Sequence, residues 1–119
     1  MKARNAPIGI IPSLAASAEQ IVGDITLYRM QTFAVAVRAT YDAAATAGVR
    51  LKFYFSPDGK NYDTVAYAYF DIDLTAGSTV QETKLVDAPE KGNLRVAIEN
   101  IDAVKAATVV TAWVSIVKE

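Results

Sequence analysis

The sequence predicts an all-β fold: an antiparallel β-sandwich, jelly-roll-like, with an extended N-terminal arm. Three observations carry the prediction. Strand-favouring residues are abundant (Val 13, Thr 10, Ile 9, Tyr 6, Phe 4, Trp 1), whereas Leu and Met number only 6 and 2. Apolar and polar residues alternate with period two along most of the chain. No segment between the alternating runs is long enough for the crossover helix that a parallel sheet requires.

The N-terminal residues come first. Lys2 and Arg4 precede a mildly apolar stretch, and Ala16-Ser17-Ala18 has the small-x-small form of a signal-peptidase site. Pro7, Gly9 and Pro12 interrupt that stretch, and each proline removes a donor and restricts the residue before it. Residues 1–20 are therefore expected as an ordered, extended arm, and residues 21–119 as one sandwich domain. An apolar arm must lie against its own domain or a neighbour, and Ile8, Ile10 and Ile11 are the side chains by which it would dock. The expected location is a virion or the cytoplasm of the producing cell, with secretion the less favoured alternative.

Alternation then marks the strands in turn. Ile25-Thr26-Leu27-Tyr28 is a short one. Phe33, Val35, Val37, Ala39 and Tyr41 alternate with Thr32, Ala34, Ala36, Arg38 and Thr40. After a loop or single helical turn over 42–48, Val49, Leu51, Phe53 and Phe55 alternate with Arg50, Lys52, Tyr54 and Ser56. Residues 65–72 form a tyrosine-rich strand that Ala76-Gly77-Ser78 ends. Residues 80–86 interleave Gln81, Glu82, Thr83 and Lys84, the pattern of a solvated or edge strand. A turn cluster over 88–93 precedes Leu94, Val96 and Ile98, and residues 108–117 close the chain. Short strands so spaced, with no amphipathic helix between them, give a sandwich or jelly roll.

Composition excludes several functions. Without cysteine or histidine the chain has no disulfide framework, no thiolate zinc site and no imidazole base. Twelve basic residues against 13 acidic ones, scattered along the chain, leave no footprint for nucleic acid. No run approaches the roughly 20 apolar residues of a membrane helix. No Gly-x-Ser-x-Gly or phosphate loop occurs, so neither an enzyme nor a cofactor is expected.

Some residues remain as candidates. Asp71 and Asp73 flank Ile72 on one strand face, as hard-cation ligands or paired carboxylates would, but a solvated strand end is the preferred explanation and no metal is expected. Asp24, Asp42 and Asp102 read as turn caps. Tyr54, Tyr62, Tyr67, Tyr69 and Trp113 could form an aromatic platform for sugar rings, Tyr54, Tyr67 and Tyr69 being the candidate ligand face. If Val110, Ala112, Val114 and Ile116 face the core, Trp113 faces outward with Thr111 and Ser115, covered by the arm or another subunit in the preferred reading or serving as a ligand platform; the reversed register would put Trp113 in the core. Ala34 and Ala36 lie opposite the Phe33/Val35/Val37 face, where a solvated strand would carry charge. The pattern predicts a sheet covered on both faces, hence a homo-oligomer or a piece of a larger protein assembly, with a glycan as the alternative partner.

Two resemblances accompany this reading. Phe55-Ser56-Pro57-Asp58-Gly59-Lys60-Asn61-Tyr62 resembles the aromatic-Ser-x-Asp-Gly-x-x-aromatic hairpin of discoidin-like, galactose-binding jelly rolls. Leu94-Arg95-Val96-Ala97-Ile98-Glu99 resembles their later Arg-containing strand. This likeness implies the fold and transfers no binding residue. The arm over 6–17, the segment Ala43-Ala44-Ala45-Thr46-Ala47-Gly48-Val49 and the same hairpin give a build similar to accessory virion proteins of tailed phages and related viruses, such as capsid decoration proteins. That likeness implies symmetric oligomers, a trimer among them, and a surface that binds a shell.

Overall fold

The structure is a computed structural model that describes residues 5–27, 32–87 and 92–118; the side chains of residues 5–8, 27 and 115–118 are outside the description. Eight strands follow one another: β1 (Asn5–Leu14), β2 (Glu19–Leu27), β3 (Thr32–Tyr41), β4 (Val49–Ser56), β5 (Ala68–Asp71), β6 (Thr79–Asp87), β7 (Gly92–Asn100) and β8 (Ala107–Lys118). They form two four-stranded antiparallel sheets, ordered β1-β8-β3-β6 and β2-β7-β4-β5. This interleaving of the chain between two sheets is that of a jelly roll.

Period-two alternation explains which side chains meet between the sheets. Phe33, Val35, Val37, Ala39 and Tyr41 of β3 face Val49, Leu51 and Phe53 of β4 and Leu94, Val96 and Ile98 of β7, and all are buried. Phe53 meets Phe70 edge to face at 6.2 Å. The strand expected over 25–28 extends back to Glu19, and Tyr28 lies outside the described residues, as do 88–91 of the turn cluster. The tyrosine-rich strand begins later than expected, at Ala68. Among the described residues, no helix is long and apolar enough to cross a membrane.

The expected arm is a strand of the sandwich. β1 pairs with β8 along its length, and Ile11 and Leu14 sit in the core at 1% exposure each. Ile11 is therefore not a docking residue, whereas Ile10, 64% exposed, points outward. The prolines disguised this strand. β1 is an edge, and an edge strand leaves donors on one side unpaired, so Pro7 and Pro12 are tolerated there. Ile8 falls at the register shift between Pro7 and Gly9, and its side chain is outside the description.

The connections 15–18, 42–48, 72–78 and 101–106 gather at one end and are tied by buried polar groups. Asp102, 2% exposed, accepts hydrogen bonds from the backbone N–H groups of Val104 (2.8 Å), Lys105 (2.9 Å), Thr46 (2.7 Å) and Ala47 (3.3 Å). Its carbonyl accepts from the Ser17 N–H at 2.9 Å, and Asn100 Nδ2 donates to the carbonyls of Leu14 and Lys105. Asp42 likewise caps its own loop by accepting from the Ala44 N–H. No buried side-chain polar atom among the described residues lacks a partner.

Candidate functional site

The two outer faces of the sandwich differ in kind. On the β2-β7-β4-β5 sheet, registered rows of charge cover the surface. Arg50 Nε lies 2.6 Å from Asp71, Lys52 Nζ lies 2.8 Å from Glu19 and 3.1 Å from Glu99, and Arg95 Nε lies 3.1 Å from Asp24. Each cation also covers a tyrosine. Arg50 stands 4.8 Å from the Tyr69 ring centroid, Lys52 6.0 Å from Tyr54, and Arg95 3.8 Å from Tyr62. Glu19, with Glu99 and Tyr54 assisting, holds the Lys52 ammonium well above the usual lysine range. Asp24, expected as a turn cap, is instead the strand partner of Arg95.

This arrangement settles where the sequence candidates stand. Tyr54 and Tyr69 share that face, each with a cation over one side of its ring, and the Tyr54 hydroxyl donates to Glu19 at 3.0 Å while Tyr69 stays more than half exposed. Tyr67 precedes β5, and its hydroxyl donates to the Asp87 carbonyl of the opposite sheet at 2.8 Å. The three tyrosines therefore form no common platform. Asp71 is taken up by Arg50, and Asp73 lies beyond the end of β5, its backbone N–H donating to Glu82 at 2.5 Å. Among the described residues, no three acidic side chains gather as a metal site would need.

The outer face of the β1-β8-β3-β6 sheet has the opposite character. Its register sets Thr83, Ala36 and Trp113 in one row across β6, β3 and β8, and Gln81, Arg38, Thr111 and Ile10 in the next. Trp113 faces outward, as the alternation predicts, because Val110 and Ala112 are fully buried. Since β3 offers only methyl groups here, a groove of about 380 Å³ opens between Trp113 on one side and Gln81 and Thr83 on the other, floored by Ala34 and Ala36. Arg38 closes it, its guanidinium 5.3 Å from the Trp113 ring centroid and its Nε donating to Gln81 Oε1 at 2.9 Å. Ile10 and Leu85, exposed by 64% and 65%, stand on the two edge strands that flank this face.

The sequence alone picks out Trp113 and the two alanines but not Arg38, Gln81 or Thr83. Their signal was the polar phase of β3 and β6, whose meeting depends on a register that alternation does not give. A second depression, of about 480 Å³, lies beside Phe55 and Tyr67 and is walled by the 57–67 connection. That connection is built as the turn motif predicts. Asp58 accepts from Ser56 Oγ and from the backbone N–H groups of Lys60 and Asn61, and Gly59 takes φ +75°.

No protein-family model and no curated protein matches the sequence. Solved structures do share its fold. The chain superposes on the VP2 protein of the infectious bursal disease virus subviral particle with a TM-score of 0.52 and 7% identity, over 97% of this chain and 33% of that one. For the carbohydrate-binding module CBM6cm-2 of Cellvibrio mixtus lichenase 5A, solved with cellotriose, the values are 0.50 and 12%, over 98% and 87%. For the Eiger TNF of S. frugiperda they are 0.50 and 8%, over 82% and 66%. The chain thus spans about a third of the viral protein's length. At these identities the shared property is the fold: this chain is similar to jelly-roll sandwiches.

Proposed function

We propose that the protein is a non-enzymatic structural component, a sandwich that self-associates and docks on a larger protein assembly, as an accessory part of a virion. The observation that carries this reading is the contrast between the two outer faces. Rows of ion pairs suit a sheet that stays in water. A sheet that exposes Ile10 and Leu85 around Ala34, Ala36 and Trp113 suits one that is covered. Ile10 and Leu85 lie on opposite edge strands, so a contact between one and the other joins copies head to tail and can close a ring. The kinship of fold with a virus particle protein supports the same setting, the virion or the cytoplasm of the cell that makes it. Size-exclusion chromatography with light scattering tests the proposal. A closed oligomer is expected, a trimer fitting the decoration role, and a monomer at every concentration overturns it.

Carbohydrate binding is the second reading. What favours it is the Trp113 groove, where an indole, an amide, a hydroxyl and a guanidinium line one depression, whereas the hydroxyl of Tyr67 is bonded to the opposite sheet, away from Tyr54 and Tyr69.

A further inference from the structure

We propose that the groove between Trp113 and Gln81 is a binding site for a sugar that carries a carboxylate, a uronic or sialic acid at a glycan terminus. The inference rests on the reading that this face is the working surface, and it names the ligand of its centre. The groove has the volume of a small ligand site, and its floor stays open only because Ala34 and Ala36 end at Cβ. Trp113 supplies a flat apolar wall with a polar tip, the kind of surface on which the C–H face of a pyranose stacks. Gln81 and Thr83 line the opposite wall with an amide and a hydroxyl, the groups that pair with sugar hydroxyls.

Charge selects an acidic sugar over a neutral one. Arg50, Lys52, Lys84 and Arg95 each meet a carboxylate, at 2.6, 2.8, 3.2 and 3.1 Å. Arg38 is exposed on a strand and meets none among the described residues, and its one hydrogen bond to a side chain goes from Nε to Gln81. That bond and the Trp113 ring fix the guanidinium plane at the end of the groove, leaving its terminal nitrogens for a bidentate carboxylate. The outward carboxylate described on β6 is Asp87, which accepts from Thr32 Oγ1 at 2.6 Å and stands six residues along the strand from Gln81, the partner of Arg38. For the groove to stay open, a ring closed through Ile10 and Leu85 must join edge to edge, although Leu85 is registered beside Ala34 of its floor.

Trp113 is the chain's one tryptophan, so its fluorescence reports the site directly. The full chain is titrated with sialyllactose, with trigalacturonate and with neutral lactose. A saturable change with at least one acidic probe, at least tenfold tighter than with lactose, supports the proposal, and the probe that binds identifies the acid. Arg38→Gln should then weaken binding at least tenfold and Ala36→Leu should abolish it, with circular dichroism and melting unchanged. No saturable change with either acid, equal binding of lactose, or acid binding that survives both variants overturns the proposal. So does an oligomer that Ala36→Leu dissolves, because a second copy then fills the groove. Light scattering on the same samples separates the two readings. An intact oligomer that binds no sugar removes this inference alone, and a monomer that binds the acids removes the assembly reading alone.

Discussion

The Asp102 carboxylate accepts four backbone N–H groups drawn from two connections, and its own carbonyl accepts from a third. Those donors, Lys105 foremost, hold its carboxyl well below the usual aspartate range. A depressed carboxyl contributes stability that is complete above the unfolded value, near pH 4, and is lost as pH falls through the folded value. Asp102→Asn turns one acceptor into a donor that faces N–H groups, so its melting temperature at pH 7 should fall by several degrees. It should then decline less steeply than the wild type in melts taken from pH 6 to pH 2.5. Val109 makes the opposite case. It holds φ 48° at the β8 bulge while 55% exposed, a conformation that costs a β-branched residue about 1 kcal/mol or more. Asn tolerates that region, so Val109→Asn should raise stability by about 0.5–1 kcal/mol in urea titrations, with Val109→Ala near neutral. Local chemistry of this scale is unevenly legible. Ser56-Pro57-Asp58-Gly59 declares its turn because donor and acceptor are neighbours in sequence. Asp102 reads as a plain cap because Thr46 and Ser17 reach it only through the fold.

Strands were legible where alternation met few interruptions, and β3 runs over the residues that its pattern marks. The sequence of β1 reads as an appendage because proline signals the absence of a ladder, and nothing local says that a strand will be an edge. The difference has a measurable consequence. An arm can be removed and the domain stays folded. β1 instead inserts Ile11 and Leu14 into the core, each a side chain whose loss costs about 2–5 kcal/mol. Together they approach the roughly 5–15 kcal/mol that holds a domain folded. Deleting residues 1–14 should therefore abolish the cooperative thermal transition, and a truncated chain that melts like the full one would show that β1 is dispensable. Trimming residues 1–4, which precede β1, should leave the transition in place.

At the scale of the whole molecule, the question is why the two sheets are finished differently. Both bury one face against the other, so the core does not distinguish them. On β2-β7-β4-β5, the register places Asp71 beside Arg50 and Asp24 beside Arg95, an arrangement that water supports at little cost. On β1-β8-β3-β6, positions that could carry charge hold alanine. Both sheets expose large apolar side chains on their edge strands, Ile10 and Leu85 here and Ile21 and Tyr69 on the other, so the alanine-floored centre is what sets this face apart. The sequence shows the surplus of apolar residues but not its location, because the face a strand presents is set by its phase and its neighbour by long-range pairing. If the surplus is an assembly surface, a charge should act on one sheet and be silent on the other. Leu85→Glu and Ile10→Glu each put a carboxylate at a margin of the apolar face and should shift the light-scattering mass to that of the monomer. Ile21→Glu makes the same change at a comparably exposed residue, 54% against 64% and 65%, on the charged sheet. Its mass should remain that of the oligomer. Equal effects from all three substitutions would mean that added charge alone disperses the protein, and neither face could then be assigned the contact.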